Sequence, residues 1–274
     1  SGGADTAGGG TGDPGGGTGD SGGADSGGAD TGAPLDPGCG RVVFRSSRTG
    51  GGDVYIMDAD GTNARRVTAL EDDQERNPTL SPDCTTVVYA ALFSGELRIV
   101  SADGTGDALL LGTSGGVRWR YPNWSPDGTA IVVTREDAAG SALVRVAPDG
   151  TGLTELTAPD AGASEADWHP AGDRLVHRQT TAGRTDIAVL DLETGVSTLL
   201  TDDLSPDTAP RWSPGGAFIT WQSGRSGGMA VHVMDADGGN IRQLTADADP
   251  QEERPAFSPD GQHIIFRSTR DGDE

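Results

Sequence analysis

Hydrophobic positions along this chain follow one phrase that returns every 44 or 45 residues. A large apolar residue stands just ahead of a tight turn at Leu35, Leu80, Trp124, Trp168, Trp212 and Phe257, at intervals of 45, 44, 44, 44 and 45. All six turns carry proline, which fixes φ, and three of them carry Asp-Gly or Gly-Gly, which tolerates positive φ. Ser125-Pro126-Asp127-Gly128 and Ser258-Pro259-Asp260-Gly261 are the fullest copies. A β-branched, apolar run follows each turn: "VVFR" from 42, "VVYA" from 87, "IVVTR" from 131, "LVHR" from 175, "ITWQ" from 219 and "IIFR" from 264. Next comes an alternating stretch, clearest in "DVYIMDADGTNARRVTA" (53–69) and "AVHVMDADGGNIRQLTA" (230–246). Val54, Ile56 and Val67 alternate there with polar positions, as in half-buried strands, and Asp60-Gly61 or Asp237-Gly238 makes the hairpin turn.

Four strands in about 44 residues, with no helical periodicity, is the period of a β-propeller blade. One blade cannot bury both faces of its sheet, so the copies must stack around an axis. The expected fold class is therefore all-β: a propeller of four-stranded blades over residues 35–274, six in number with the last incomplete. The incompleteness is visible in the final copy, which has its anchor strand and "HIIFR" and then only "STRDGDE". The anchors Trp124, Trp168, Trp212 and Phe257 are expected to be buried at equivalent places between blades.

Residues 1–34 differ in kind. They are almost wholly Gly, Ser, Thr, Ala and Asp, lack any aromatic or large aliphatic side chain, and so read as a disordered tether. An opening of this composition also follows the lipidated cysteine of bacterial lipoproteins, so a lipid anchor upstream of Ser1 is one expectation. Up to residue 36, Asp5, Asp13, Asp20, Asp25, Asp30 and Asp36 account for six of the 22 net negative charges, which leaves −16 on residues 37–274. A surface this acidic repels nucleic acid and anionic lipid. No apolar run approaches the ~20 residues of a membrane helix. Every basic residue is arginine, which excludes Schiff-base and phosphate-loop lysine chemistry.

Cys39 and Cys84 fall at the same repeat position in neighbouring blades. Equivalent points on a six-fold ring lie ~10 Å apart, whereas a disulfide needs Cα atoms within ~7 Å. The degenerate first strand, Ala33-Pro34-Leu35, could shift to close that gap. Two buried thiols and a Cys39–Cys84 disulfide both remain open; an extracytoplasmic setting favours the disulfide.

The anchor-Ser-Pro-Asp-Gly units, Ser46 to Arg48 and Ser268 to Arg270, and Met57 to Gly61 and Met234 to Gly238 resemble the TolB-like β-propeller repeat over roughly residues 33–270. The resemblance implies the fold. It implies less about function, since such propellers occur in periplasmic adaptors, in gating domains of peptidases and in polysaccharide lyases.

Two segments, Gly112 to Gly116 and Gly224 to Gly228, match the G-x-S-x-G nucleophile pattern, but neither is followed by a helical pattern that could build the elbow. His169, His177, His232 and His263 occupy different repeat positions, so no shared metal is expected. His177 replaces the rings Phe44, Tyr89, Trp221 and Phe266 and reads as core. The Asp-Ala-Asp-Gly turns offer too few carboxylates for a calcium loop. No catalytic residue, metal or cofactor is assigned.

The segments from each outer strand to the next anchor read as loops around the channel mouth, on the face shared with the second-to-third-strand turns. Four are acidic; the one with Arg118, Trp119, Arg120 and Tyr121 is basic and aromatic. These four are the expected binding residues, with Trp119 as anchor for an acidic or amphipathic peptide. The function reading is a non-enzymatic, monomeric, extracytoplasmic scaffold, in a bacterial periplasm or at a cell surface, that recognises protein or peptide. The alternatives are a propeller-type polysaccharide lyase or other glycan-acting enzyme, and the regulatory propeller of a longer enzyme.

Overall fold

The structure is a computed structural model that describes residues 40–48, 52–70, 73–245 and 252–269. The first sheet holds β1 (Arg41–Ser46), β2 (Asp53–Asp58) and β3 (Arg65–Arg66); the second β4 (Glu75–Leu80), β5 (Thr86–Ala91), β6 (Leu97–Ser101) and β7 (Ala108–Leu111). The third is β8 (Arg118–Trp124), β9 (Ile131–Asp137), β10 (Gly140–Val146) and β11 (Thr154–Glu155). The fourth is β12 (Ala163–Trp168), β13 (Arg174–Thr181), β14 (Arg184–Asp191) and β15 (Ser197–Leu199). The fifth is β16 (Asp207–Trp212), β17 (Phe218–Ser223), β18 (Ala230–Asp235) and β19 (Arg242–Gln243), and the sixth β20 (Glu252–Phe257) and β21 (Ile264–Ser268). Each sheet is an antiparallel meander in chain order.

The all-β propeller is as expected, but the blade number is not. The described residues form five blades, the first with three strands, and a sixth sheet of only two strands. A six-bladed ring is corrected on that count, because the described residues supply no third or fourth strand to the last sheet. The first blade's expected inner strand at Leu35, the tether 1–34 and Cys39 lie outside the described residues.

The core is not inside blades but between them. Val54, Ile56 and Val67 pack on Val87 and Tyr89 of the second blade, while Val88 points the other way, onto Trp119, Trp124, Ile131 and Val133 of the third. Val132 and Leu143 face Trp168 and Leu175, and Val176 and Ile187 face Trp212, Trp221 and Met234. Successive side chains of a strand enter different cores, which is why the second strand of each blade is continuously apolar rather than alternating. Trp124, Trp168 and Trp212 are buried at these interfaces as expected. Phe257 is only half-buried, since its two-stranded sheet offers less to pack against.

Polar residues of the repeat hold the turns. In Ser-Pro-Asp-Gly the serine hydroxyl donates to the aspartate, at 2.6 Å for Ser125 to Asp127, and accepts the amide five residues on, at 2.9 Å from Ala130. A threonine past the outer strand accepts an amide of the third strand fourteen residues back, each at 2.9 Å: Thr68 from Val54, Thr157 from Leu143, Thr201 from Ile187 and Thr245 from Val231. Buried amides without ladder partners are thus satisfied by side chains.

Candidate functional site: an arginine-lined axial cavity

The first strands β4, β8, β12, β16 and β20 contact one another in series and surround the axis. Each breaks its pairing at the same place, between Arg76 and Thr79, Arg120 and Asn123, Ser164 and Asp167, Thr208 and Arg211, and Glu253 and Ala256. Inside every break sits a non-glycine residue with positive φ: Asn77, Tyr121, Glu165, Ala209 and Arg254, spaced 44, 44, 44 and 45 apart. Left-handed geometry costs an L-residue roughly 1 kcal/mol, so five copies mark a backbone that the ring imposes. A β-bulge re-aims side chains. Here it brings these residues and their neighbours to the walls of two axial cavities.

The larger cavity has a volume of about 610 Å³ and is lined by Arg45, Arg76, Arg120, Arg254 and Arg267, with Ser46, Ser47, Asn77, Pro78, Leu92 and Tyr121. Its walls come from the first, second, third and sixth sheets. The second, of about 510 Å³, shares Asn77, Pro78, Tyr121 and Arg254 and adds Asn123, Glu165 and Arg211. Ser46 and Ser47 lie at the end of β1 and Leu92 follows β5, so the larger cavity lies at the end of the sheets where β1 turns into β2 and β5 into β6.

Five of the chain's 20 basic residues thus meet in one cavity of a protein with net charge −22. Arg120 approaches Glu136 at 3.8 Å and Arg267 pairs with Glu253 at 3.1 Å. Among the described residues no carboxylate lies within ion-pair distance of Arg45, Arg76 or Arg254; the first two reach only the amide oxygen of Gln74, at 3.5 and 3.0 Å. Burial, and then the positive charge of Arg45, Arg254 and Arg120, holds the Arg76 guanidinium below its ordinary pKa. Arg76 Nε and Arg120 Nη1 are buried donors without a hydrogen-bond partner. Burial, with the nearby Glu165 charge next, raises the Tyr121 phenol.

Arg118, Trp119, Arg120 and Tyr121 are expected on a loop, but they lie in strand β8. Only Arg120 and Tyr121 reach the cavity. Trp119 is 5% exposed and donates its indole N–H to the Gly112 carbonyl at 3.0 Å. Its repeat position explains this: the equivalent Glu75, Ala163, Asp207 and Glu252 are all buried too. Arg118 reaches the Leu92 carbonyl at 3.3 Å. Arg45, Arg76, Arg254 and Arg267 line the cavity and were not singled out by the sequence; Arg76 and Arg254 sit in acidic-looking stretches, and the Arg-x-Pro shared by Arg76 to Pro78 and Arg120 to Pro122 was the available signal for Arg76.

Outside the cavity, His177 is fully buried as a core ring with Nε2 2.9 Å from Ser197 Oγ, His232 is buried against Trp221, and His169 packs edge-on to Trp212 at 4.8 Å. Both G-x-S-x-G segments lead into strands, β8 and β18. Among the described residues no three His, Cys, Asp or Glu groups converge as a metal site, and no helix is long and apolar enough to cross a membrane. In the Asp-Ala-Asp-Gly turn, Asp60 accepts the Thr62 amide at 2.9 Å and Asp58 the Asn63 side chain at 2.6 Å, so both carboxylates serve the turn.

A ring of antiparallel blades with an axial cavity defines the class: a β-propeller. The chain belongs to the TolB β-propeller domain family, whose model matches residues 24–171 and 164–274. It resembles a putative TolB from Agrobacterium tumefaciens at 22% identity and TM-score 0.67, over 83% of this chain and 78% of that one. TolB from Acinetobacter baumannii aligns at 23% identity and TM-score 0.68, over 82% of this chain and 57% of that one. An oligogalacturonate lyase in complex with manganese aligns at 15% identity and TM-score 0.52, over 83% and 82%. At these identities the likeness concerns the fold. No curated protein sequence matches the chain.

Proposed function

We propose that this chain is a non-enzymatic, extracytoplasmic binding scaffold that takes a protein or peptide at the channel-mouth face. The observation that carries the reading is the larger cavity itself. Its walls are donors held on rigid strands of several blades, and none of the four histidines lines it. Preorganised donors on strands suit recognition. Membership of the TolB propeller family supports the same reading. Arg120 and Tyr121 contribute to the binding surface directly; Arg118 and Trp119 act by holding β8. The scaffold works as a monomer, held away from its anchoring point, a lipid group upstream of Ser1, by the tether 1–34. A Cys39–Cys84 disulfide secures the first two blades, and thiol titration of the denatured, unreduced chain then returns no free thiol.

The test is a photo-crosslinking amino acid at Tyr121, applied in a cell-envelope fraction. A discrete protein adduct is expected, absent when the same group replaces Asp149 in the β10–β11 turn at the other end of the sheets. Glycan cleavage by the purified chain, abolished by R120Q, would replace the scaffold with the enzyme reading.

A further inference from the structure

We infer that the ligand of the larger cavity is a carboxylate-rich peptide segment, gripped by Arg45, Arg76, Arg120, Arg254 and Arg267. This rests on the scaffold reading and names the chemistry of its ligand. A guanidinium fork matches the planar, two-oxygen carboxylate and stays charged at any physiological pH. Arginines are costly to crowd: at Arg76 burial and like charges already work against its protonated form. The five nevertheless converge, while the chain's carboxylates outnumber its arginines by 42 to 20. Among the described residues Arg45, Arg76 and Arg254 have no carboxylate within ion-pair distance, and the ligand supplies their negative complement.

Distribution of the arginines selects a polymer over a compact anion. They stand on four sheets around a cavity of about 610 Å³, so no single small ion can reach all five. An extended peptide advances ~3.3 Å per residue and can present carboxylates at intervals along such a wall. Asn77, Ser46 and Ser47 offer hydrogen bonds to its main chain, and Pro78, Leu92 and Tyr121 give apolar contact. Tyr121 is the one aromatic ring among these lining residues, so the wall offers little flat surface for stacking sugar rings. Beyond a Debye length of ~8 Å at physiological salt, the acidic exterior is screened and the local arginine field governs capture. Exclusion of polyanions from the rest of the surface makes the cavity specific.

The probe is a fluorescein-labelled decapeptide of alternating Glu and Gly, followed by anisotropy against the full chain at 150 mM salt. Tight binding is expected, weakened at least about tenfold when every Glu is replaced by Gln, and weakened as much by R45Q/R254Q, since either change removes charge-assisted hydrogen bonds. Arg45 and Arg254 are exposed and among the described residues lack a carboxylate partner, so the double variant should keep the melting temperature; R242Q, on β19, should bind normally. Equal affinity for the Glu and Gln peptides, or no effect of R45Q/R254Q, overturns the inference. So does tighter binding of tetragalacturonate than of the peptide, which assigns the arginines to an acidic glycan. A Tyr121 crosslink to an envelope protein without binding of the acidic peptide overturns this inference and leaves the scaffold reading in place; binding of the peptide without such a crosslink does the reverse.

Discussion

Asn123 donates its side-chain amide to Asp167 Oδ1 at 2.9 Å, across exactly one repeat, and Asp167 Oδ2 accepts the backbone amide of Trp212, one repeat further on, at 2.8 Å. One carboxylate therefore ties three consecutive blades at the axis, just beneath the inter-blade tryptophans. Burial raises its pKa above the usual carboxylate range, opposed chiefly by Arg211. A carboxyl raised in the folded state stabilises the fold most when protonated in both states, and that contribution falls as pH rises from the unfolded value through the folded one. Thermal melts of wild type and D167N should show a difference in wild type's favour that is larger near pH 4 than at pH 7. A difference that grows with pH would mean that Asp167 is stabilised as the anion.

Trp212 fills the wedge between the fourth and fifth blades, against Val176 and Ile187. Its truncation leaves a cavity that rigid sheets cannot collapse to fill. W212A should lose about 3 to 5 kcal/mol in denaturant unfolding. A loss under about 1 kcal/mol would show that the interfaces tolerate voids.

His177 is buried neutral, and burial pushes its pKa down to about 4. The unfolded chain titrates near 6.5, so it takes up the proton first; stability from this group is present above that value and falls as pH drops between 6.5 and 4, by up to about 3 kcal/mol. H177F, which places at this position the ring found at Phe44, should remove that part of the pH dependence. Unchanged acid sensitivity in H177F would place the titration elsewhere.

Residues 1–34 carry no large apolar side chain. A chain that begins at residue 35 should melt within a degree or two of the full one, because no core is lost. A fall of many degrees would move the domain boundary into the tether.

The repeat was legible because burial imposes it. Every anchor tryptophan, Ser-Pro-Asp-Gly turn and β-branched run answers a local requirement of strand or hairpin, so spacing alone yields blade order and the inter-blade cores around Trp124, Trp168 and Trp212. Even His177 could be placed, since its repeat position belongs to core rings. The cavity was less legible. Arg120 and Tyr121 stood out by composition, but Arg76 and Arg254 are flanked by Glu75 and Glu253, and a one-dimensional reading averages their charges away. Tertiary structure separates them: Glu75 is buried in the blade while the next residue, Arg76, lines the cavity, and Glu253 is taken up by Arg267 while Arg254, inside the bulge, lines the cavity. Trp119 met the same rule from the other side, its size suggesting an exposed anchor while its strand position demanded burial. Closure around the axis decided the rest. Arg45 and Arg267 are 222 residues apart in sequence and line one cavity only because the first and sixth sheets both face the axis, a proximity that no local preference encodes and that the arrangement of blades around the axis creates.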